Sequence, residues 1–212
     1  MDGNGSDLIH YHAPRTRSVT IRWLFAELDV PHELKLMNLA KGEHKSPEFL
    51  GVNPMGKVPT VVHKGVVITE APAICAYLAD AFPAAGLAPA ADDPARGCYF
   101  RALFFYSGCV EPAAGDYALK REPGPSTQVG YGTYETMIEG LKDIVGSGPY
   151  ILGERFTAAD VMLGAGVGYL RDFGLLPDDP VFTSYVTRVR ARPAYARTTA
   201  EEETLLAQLA AQ

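Results

Sequence analysis

The chain has 212 residues, of which 47% are hydrophobic and 21% charged, and its formal net charge is −6 at pH 7. That length holds one large or two small domains and buries an adequate core without staples. The acidic balance excludes nucleic acid or an anionic membrane surface as the main partner. Three cysteines (Cys75, Cys98 and Cys109) form no Cys-x-x-Cys and no metal spacing, which predicts reduced thiols, no bound metal and a cytoplasmic setting. Residues 1–7 carry neither the basic start nor the apolar stretch of a signal peptide, and no apolar run is long enough to span a bilayer.

Leu8-Ile9-His10-Tyr11 reads as a short strand and Ala13-Pro14-Arg15 as a turn. Val19, Trp23, Leu24, Ala26 and Leu28 then recur at helical spacing, with Thr16 placed to cap the helix. A second strand follows over 33–37. Residues 41–51 are polar and predict irregular chain with a short helical turn. Pro59 begins Thr60-Val61-Val62-His63, and Val66-Val67-Ile68-Thr69 follows the turn Lys64-Gly65, a hairpin pattern. Proline donates nothing to a ladder, so at Pro59 it suits a strand's first residue. Glu70-Ala71-Pro72 opens a helix, where a missing N–H is tolerated. The order β-α-β-β-β-α predicts a mixed sheet with helices packed on it.

The composition changes at 83–92, rich in Ala, Pro and Gly, which reads as a linker. No convincing strand follows. A long helix is expected from Asp93-Pro94 towards Val110, ended or kinked near Pro112, with further helices over 127–145, 157–173, 181–190 and 195–209. Thr157-Ala158-Ala159-Asp160 has the form of a capping box with Asp in the Glu/Gln place. The expected domains are an α/β domain over 1–82 and an all-helical domain over 93–212.

Neither a glycine-rich phosphate loop nor a G-x-S-x-G nucleophile motif is present. The five histidines, His10, His12, His32, His44 and His63, lack ligand spacing; His10 and His12 share one side of a strand. Two helix starts carry more chemistry. Thr16 stands directly after a strand, where free N–H groups and a positive dipole end attract an anion. At the other, Glu70 beside free N–H groups forms a pair able to hold an ammonium and a carboxylate together, the head group of an amino acid.

Asn53-Pro54-x-Gly56-Lys57-Val58-Pro59, then Thr69-Glu70-Ala71-x-Ala73-Ile74-x-x-Tyr77-Leu78, resembles the cytosolic glutathione S-transferases. Lys41 to Phe49 is similar to theta-like and bacterial members, and Thr157 to Asp160 matches the family's capping box. The resemblance covers nearly the whole chain. It implies a thioredoxin-like N-terminal domain, an all-α C-terminal domain, a homodimer and glutathione as co-substrate. It implies a cis Val58-Pro59 bond, with the Val58 N–H and C=O pairing to the cysteinyl part of glutathione like an added strand. Glu70 would hold the γ-glutamyl ammonium, the Ala71 N–H its carboxylate, and His44 and Lys57 would lie near the glycine end. Many relatives have serine where this chain has Ala71.

The resemblance leaves the thiol-activating group open. Serine-type relatives place their hydroxyl where this chain has Ala13, and cysteine-type relatives place a thiol near Thr16 or Arg17, where this chain has none. Thr16 is the first candidate, Tyr11 the second and Arg17, a cationic neighbour, the third; backbone N–H groups are a further alternative. Phe105, Tyr106 and Cys109 are candidates for the apolar wall of an electrophile site. The expected activity is conjugation of glutathione to small hydrophobic electrophiles, a detoxification reaction. The alternatives are a glutathione-dependent isomerase, dehalogenase or ether-cleaving enzyme, and a non-catalytic binding or regulatory module of the same fold.

Overall fold

The computed structural model describes residues 7–211. Four strands, β1 (Leu8–His12), β2 (Glu33–Leu36), β3 (Thr60–His63) and β4 (Val66–Ile68), form one sheet in the order β2-β1-β3-β4. β1 runs parallel to β2, with His12 opposite Leu36, and antiparallel to β3, with Tyr11 opposite Thr60. β3 and β4 form the expected hairpin, Val61 opposite Ile68. Its turn residues Lys64 and Gly65 both have positive φ, 51° and 78°, the geometry that matches strand twist in two-residue hairpins.

Helix α1 (Ser18–Leu28) makes the crossover between the parallel strands and buries Ile21, Trp23, Leu24, Phe25 and Leu28. It begins two residues after Thr16, and Arg17 takes the cap position. The Thr16 hydroxyl still caps it by accepting the Ser18 N–H at 3.1 Å. A short helix, α2 (Pro47–Val52), is capped by Ser46, whose hydroxyl accepts the Phe49 N–H. α3 (Ala71–Ala81) follows the hairpin. Alternation along β1 divides its side chains between two faces. His10 and His12 meet Ser18 of α1, whereas Tyr11 and Ala13 pack with Phe49 of α2 and Met37.

The remaining helices are α4 (Arg96–Phe105), α5 (Glu111–Ala118), α6 (Tyr134–Val145), α7 (Ala158–Asp172), α8 (Pro180–Arg190) and α9 (Pro193–Ala210). Between α4 and α5, Tyr106–Val110 forms a wider π-type turn, closed by the Glu111 N–H donating to the Tyr106 carbonyl. Pro112 explains it: without an N–H, and with a ring that clashes one turn back, proline cannot continue a regular helix. α6 starts at Tyr134 rather than near Thr127, because Gly132 (φ 71°) breaks the chain and Thr133 and Thr136 cap each other's backbone. The box at Thr157 and Asp160 forms as expected: the Asp160 carboxylate accepts the Thr157 N–H at 2.9 Å, and the Thr157 hydroxyl accepts the Ala159 N–H at 3.3 Å.

The chain divides into two compact units, Met1–Leu78 with Pro193–Gln212, and Ala79–Arg192. The expected all-helical domain over 93–212 includes the last helix, expected over 195–209; in the structure α9 groups with the sheet unit. Its small residues Ala194 and Thr198 are buried, Tyr195 meets the edge of the Trp23 ring at 5.0 Å, and Arg197 donates to the Ala26 carbonyl at 2.9 Å. Among the described residues, no helix is long and apolar enough to cross a membrane.

Candidate functional site

The sheet register brings several candidates to one end. β1 and β2 run towards that end, β3 starts there, and β4 finishes there. The segments beyond those strand ends carry Thr16, His44, Val58 and Glu70.

The turn after β1 is held by its own side chain. Thr16 Oγ1 donates to the Ala13 carbonyl at 2.7 Å while accepting the Ser18 N–H. Arg15 inside this turn has φ 58°, a left-handed conformation that costs a side-chain-bearing residue about 1–2 kcal/mol. Arg17 is exposed. Tyr11 is half-buried, its ring 5.1 Å from that of Phe49 and capped by the Lys35 ammonium at 5.4 Å. Tyr11, Ala13 and Val58 share one apolar cluster with Phe49 and Met37.

The loop before β3 is organised by Asn53, a residue that sequence reasoning did not single out as a site residue. Its side chain is buried and donates to the Lys57 carbonyl and to Thr60 Oγ1, both at 2.9 Å, and accepts the Met55 N–H at 3.1 Å. Gly56 (φ 60°) passes so close to the His44 carbonyl that a Cβ there would lie 2.6 Å from it, which fixes the His44 and Lys57 segments beside each other. The Val58-Pro59 bond is cis, as the resemblance implied. Among the described residues the Val58 N–H and C=O make no backbone hydrogen bond. His44 carries a buried Nδ1 with no hydrogen-bond partner, and Lys57 is exposed.

Glu70 stands at the foot of α3 with φ 64°, again left-handed. Its carbonyl accepts the Ile74 N–H at 2.9 Å, so the strained residue is tied into the first helical turn. Its side chain is exposed, and Ala71 behind it is buried. Strain of this kind persists where surrounding structure enforces it, and an observed outlier is a pointer to function.

Phe105 and Tyr106 lie in the helical unit and pack inward. A Cβ at Gly140 would meet the Phe105 ring at 2.9 Å, and one at Gly166 would meet the Tyr106 ring at 2.0 Å. Cys109 is half-exposed, its thiol pushed up by burial. Phe104, 59% exposed, and Ser107 face outward from the same stretch. All three cysteines are free thiols. Among the described residues no cluster of His, Cys, Asp and Glu has the makings of a metal site.

His10 and His12, the pair with no assigned chemistry, are core residues. Ser18 Oγ lies 3.1 Å from His10 Nε2 and 2.7 Å from His12 Nδ1. His10 also contacts Phe25, which stacks on His32 at 3.9 Å. Burial, then the neighbouring rings of His12 and His32 and the Arg22 charge, hold His10 well below the ordinary imidazole value.

A parallel-antiparallel four-stranded sheet with a cis-proline loop, followed by a helical unit, defines the thioredoxin-like class of transferase folds. The family model for the glutathione S-transferase N-terminal domain matches residues 6–80. Glutathione S-transferase A of Pleuronectes platessa is 32% identical over 177 residues, 76% of each chain. A glutathione transferase from Methylococcus capsulatus superposes with a TM-score of 0.77 at 27% identity, covering 93% of this chain and 99% of its own. A homologue from Sulfitobacter, solved with bound glutathione, gives 0.73 at 26% identity, covering 92% and 97%. The chain belongs to the glutathione S-transferase family.

Proposed function

We propose that this protein is a glutathione transferase that conjugates the glutathione thiolate to small hydrophobic electrophiles. The observation that carries the reading is Glu70: exposed, left-handed, and pinned at the start of α3. A carboxylate there takes the γ-glutamyl ammonium, while the first N–H groups of α3 meet the γ-glutamyl carboxylate, Ala71 foremost. The unpaired N–H and C=O of Val58 accept glutathione as an added strand. The orphaned His44 Nδ1 and the exposed Lys57 suit the glycine carboxylate.

The chemical step is a displacement or addition. The bound thiol gives its proton to solvent, and the sulfur electron pair forms a bond to an electrophilic carbon. In a displacement the leaving group departs with the electron pair of its broken bond; in an addition the π pair of the electrophile moves to the adjoining atom, which takes up a proton from solvent. A free thiol near pKa 8.5 is only a few per cent ionised at neutral pH. Lowering that value by about two units takes about 2.7 kcal/mol, within reach of a hydroxyl bond and a helix end together. Thr16 is the assigned activator, with Tyr11 and Arg17 its rivals. Phe105, Tyr106 and Cys109 are the candidates for an apolar electrophile wall; of these Cys109 is half-exposed, while Phe105 and Tyr106 pack inward. Two copies associate, and the free thiols fit a cytoplasmic setting.

One observation favours the non-catalytic reading: Ala13 has no hydroxyl, and Thr16 directs its own proton to the Ala13 carbonyl. Calorimetry with glutathione, a conjugation assay with a chromogenic aryl halide, and light scattering test the reading. Binding with turnover by a dimer supports it. Binding without turnover across several electrophile classes selects the binding module, and no binding removes both.

A further inference from the structure

The last helix reaches the β1–α1 turn through a continuous line of polar groups. Glu202 of α9 places Oε1 3.0 Å from Nε2 of His12, a close polar contact that is not aligned as a hydrogen bond. His12 Nδ1 lies 2.7 Å from Ser18 Oγ. The Ser18 N–H donates to Thr16 Oγ1, and Thr16 donates to the Ala13 carbonyl. His12 and Ser18 are fully buried, and the Glu202 side chain is 11% exposed. Arg22 flanks the line: it pairs with Glu201, and its Nε is 3.8 Å from Glu202 Oε1. His10, with His32 near it, flanks the line on the other side.

We infer that Glu202 is a positioning residue: acting through His12 and Ser18, it sets the β1–α1 turn that presents Thr16 to the glutathione sulfur. The inference rests on the transferase reading above.

Proton counting supports it. A serine hydroxyl has one proton, so Ser18 donates to only one of its two imidazole neighbours. A carboxylate beside Nε2 favours the tautomer with a proton on that nitrogen, which leaves Nδ1 as the acceptor facing Ser18. Ser18 then donates to His12 and accepts from His10, and the direction of every bond in the line is set. Without the carboxylate either His12 tautomer serves, and the Ser18 hydroxyl proton has two orientations instead of one. The two ring contacts anchor Ser18 through its side chain, and the Ser18 N–H in turn holds the Thr16 hydroxyl. Such contacts add to the seat of α9, whose fully buried residues, Ala194 and Thr198, are small.

The test compares full-length wild type with Glu202→Ala, the isosteric Glu202→Gln, and Glu203→Ala as an exposed control on the same helix. Amide exchange at Ser18 and Val19 is read in the free protein. The thiol of bound glutathione is titrated by ultraviolet absorbance, and kcat and KM are measured with an aryl halide. Glu202→Ala should speed exchange at those amides about tenfold while β3 amides hold. It should raise the bound thiol's titration midpoint and lower kcat about tenfold, with the KM for glutathione within about twofold. Glu202→Gln should fall between, and it keeps the test available should the alanine variant not fold; Glu203→Ala should match wild type. Wild-type exchange in both Glu202 variants overturns the inference, as does faster exchange with an unshifted thiol. A wild type that binds no glutathione overturns the transferase reading itself, and that failure appears before any variant is made.

Discussion

Thr16 gives its one hydroxyl proton to the carbonyl of Ala13, 2.7 Å away. To stabilise a thiolate the same proton must turn to sulfur. The exchange is favourable: a neutral hydrogen bond is worth about 1 kcal/mol net, and one to an ionised acceptor is roughly twice as strong. Thr16→Ala should therefore raise the pKa of bound glutathione and lower kcat/KM about tenfold. Thr16→Ser, which keeps the hydroxyl, should stay near wild type. Equal thiol titrations for wild type and Thr16→Ala would remove the role from Thr16.

Tyr11 supplies the contrast. Its ring packs on Phe49 and takes the Lys35 charge on its face. Tyr11→Phe keeps those contacts, so melting temperature and kcat/KM should both remain within about twofold or a degree of wild type. A fall in kcat/KM of tenfold or more at unchanged stability would make the phenol the activating group.

At Glu70 binding and strain separate. Glu70→Ala removes the carboxylate but keeps the Cβ at φ 64°. Loss of a charge-assisted bond of about 1.5–3 kcal/mol should weaken glutathione roughly 10–100-fold. Glu70→Gly should weaken it as much and yet raise stability by about 1 kcal/mol, about 2–4 °C in melting temperature at this chain length. A glycine variant less stable than the alanine variant would show that the left-handed residue is not strained. Full affinity in both would place the ammonium elsewhere.

These residues show what a sequence can carry. Glu70, Val58, Pro59 and the Thr157–Asp160 box lie in short motifs whose geometry is local, so spacing exposes them. The Lys64-Gly65 turn and the strands are local too. The line from Glu202 to Thr16 is not: His12 and Glu202 are far apart in sequence, and the strand alternation that buries His12 does not say what faces it. The grouping of α9 is hidden for the same reason. Its helical spacing is plain, but only its contacts with Trp23 and Ala26 assign it to the sheet unit. At Tyr106 and Phe105 the sequence identifies apolar positions without naming the neighbour, here Gly166 and Gly140.

The buried histidines predict acid sensitivity in the sheet unit. Burial holds His10 and His32 below 6.5, the ordinary imidazole value. The unfolded chain therefore binds protons that the folded chain refuses as pH drops below about 6.5. Stability is full above that value and declines as pH falls towards the folded-state values. His10→Asn keeps a polar partner for Ser18 and should flatten part of this decline in chemical denaturation between pH 7 and 5. An unchanged slope would mean that His10 takes up its proton in the folded state as easily as in the unfolded one.

Asp160 should respond to pH with the opposite sign. It is fully buried in the helical unit, and burial pushes its carboxyl from 3.8 up to about 6. Four donors oppose that push. The N–H groups of Ile151 and Thr157 reach it at 2.9 Å, and the hydroxyls of Tyr185 and Thr157 at 3.2 Å. A carboxyl whose folded value exceeds its unfolded one stabilises the fold most below about 4 and loses that contribution as pH rises through about 6. The difference amounts to about 3 kcal/mol at neutral pH. Asp160→Asn removes the titration and should flatten this component, leaving the histidine decline exposed. It also replaces a carboxylate oxygen with an NH₂ among donors, so it should not restore full stability. Asp160→Ala strands several buried donors at once and should cost about 3 kcal/mol or more. Denaturant titrations from pH 4 to 7 check both variants. A wild-type and an Asp160→Asn protein with parallel stability profiles would show that the buried carboxyl titrates normally, the four donors cancelling its burial.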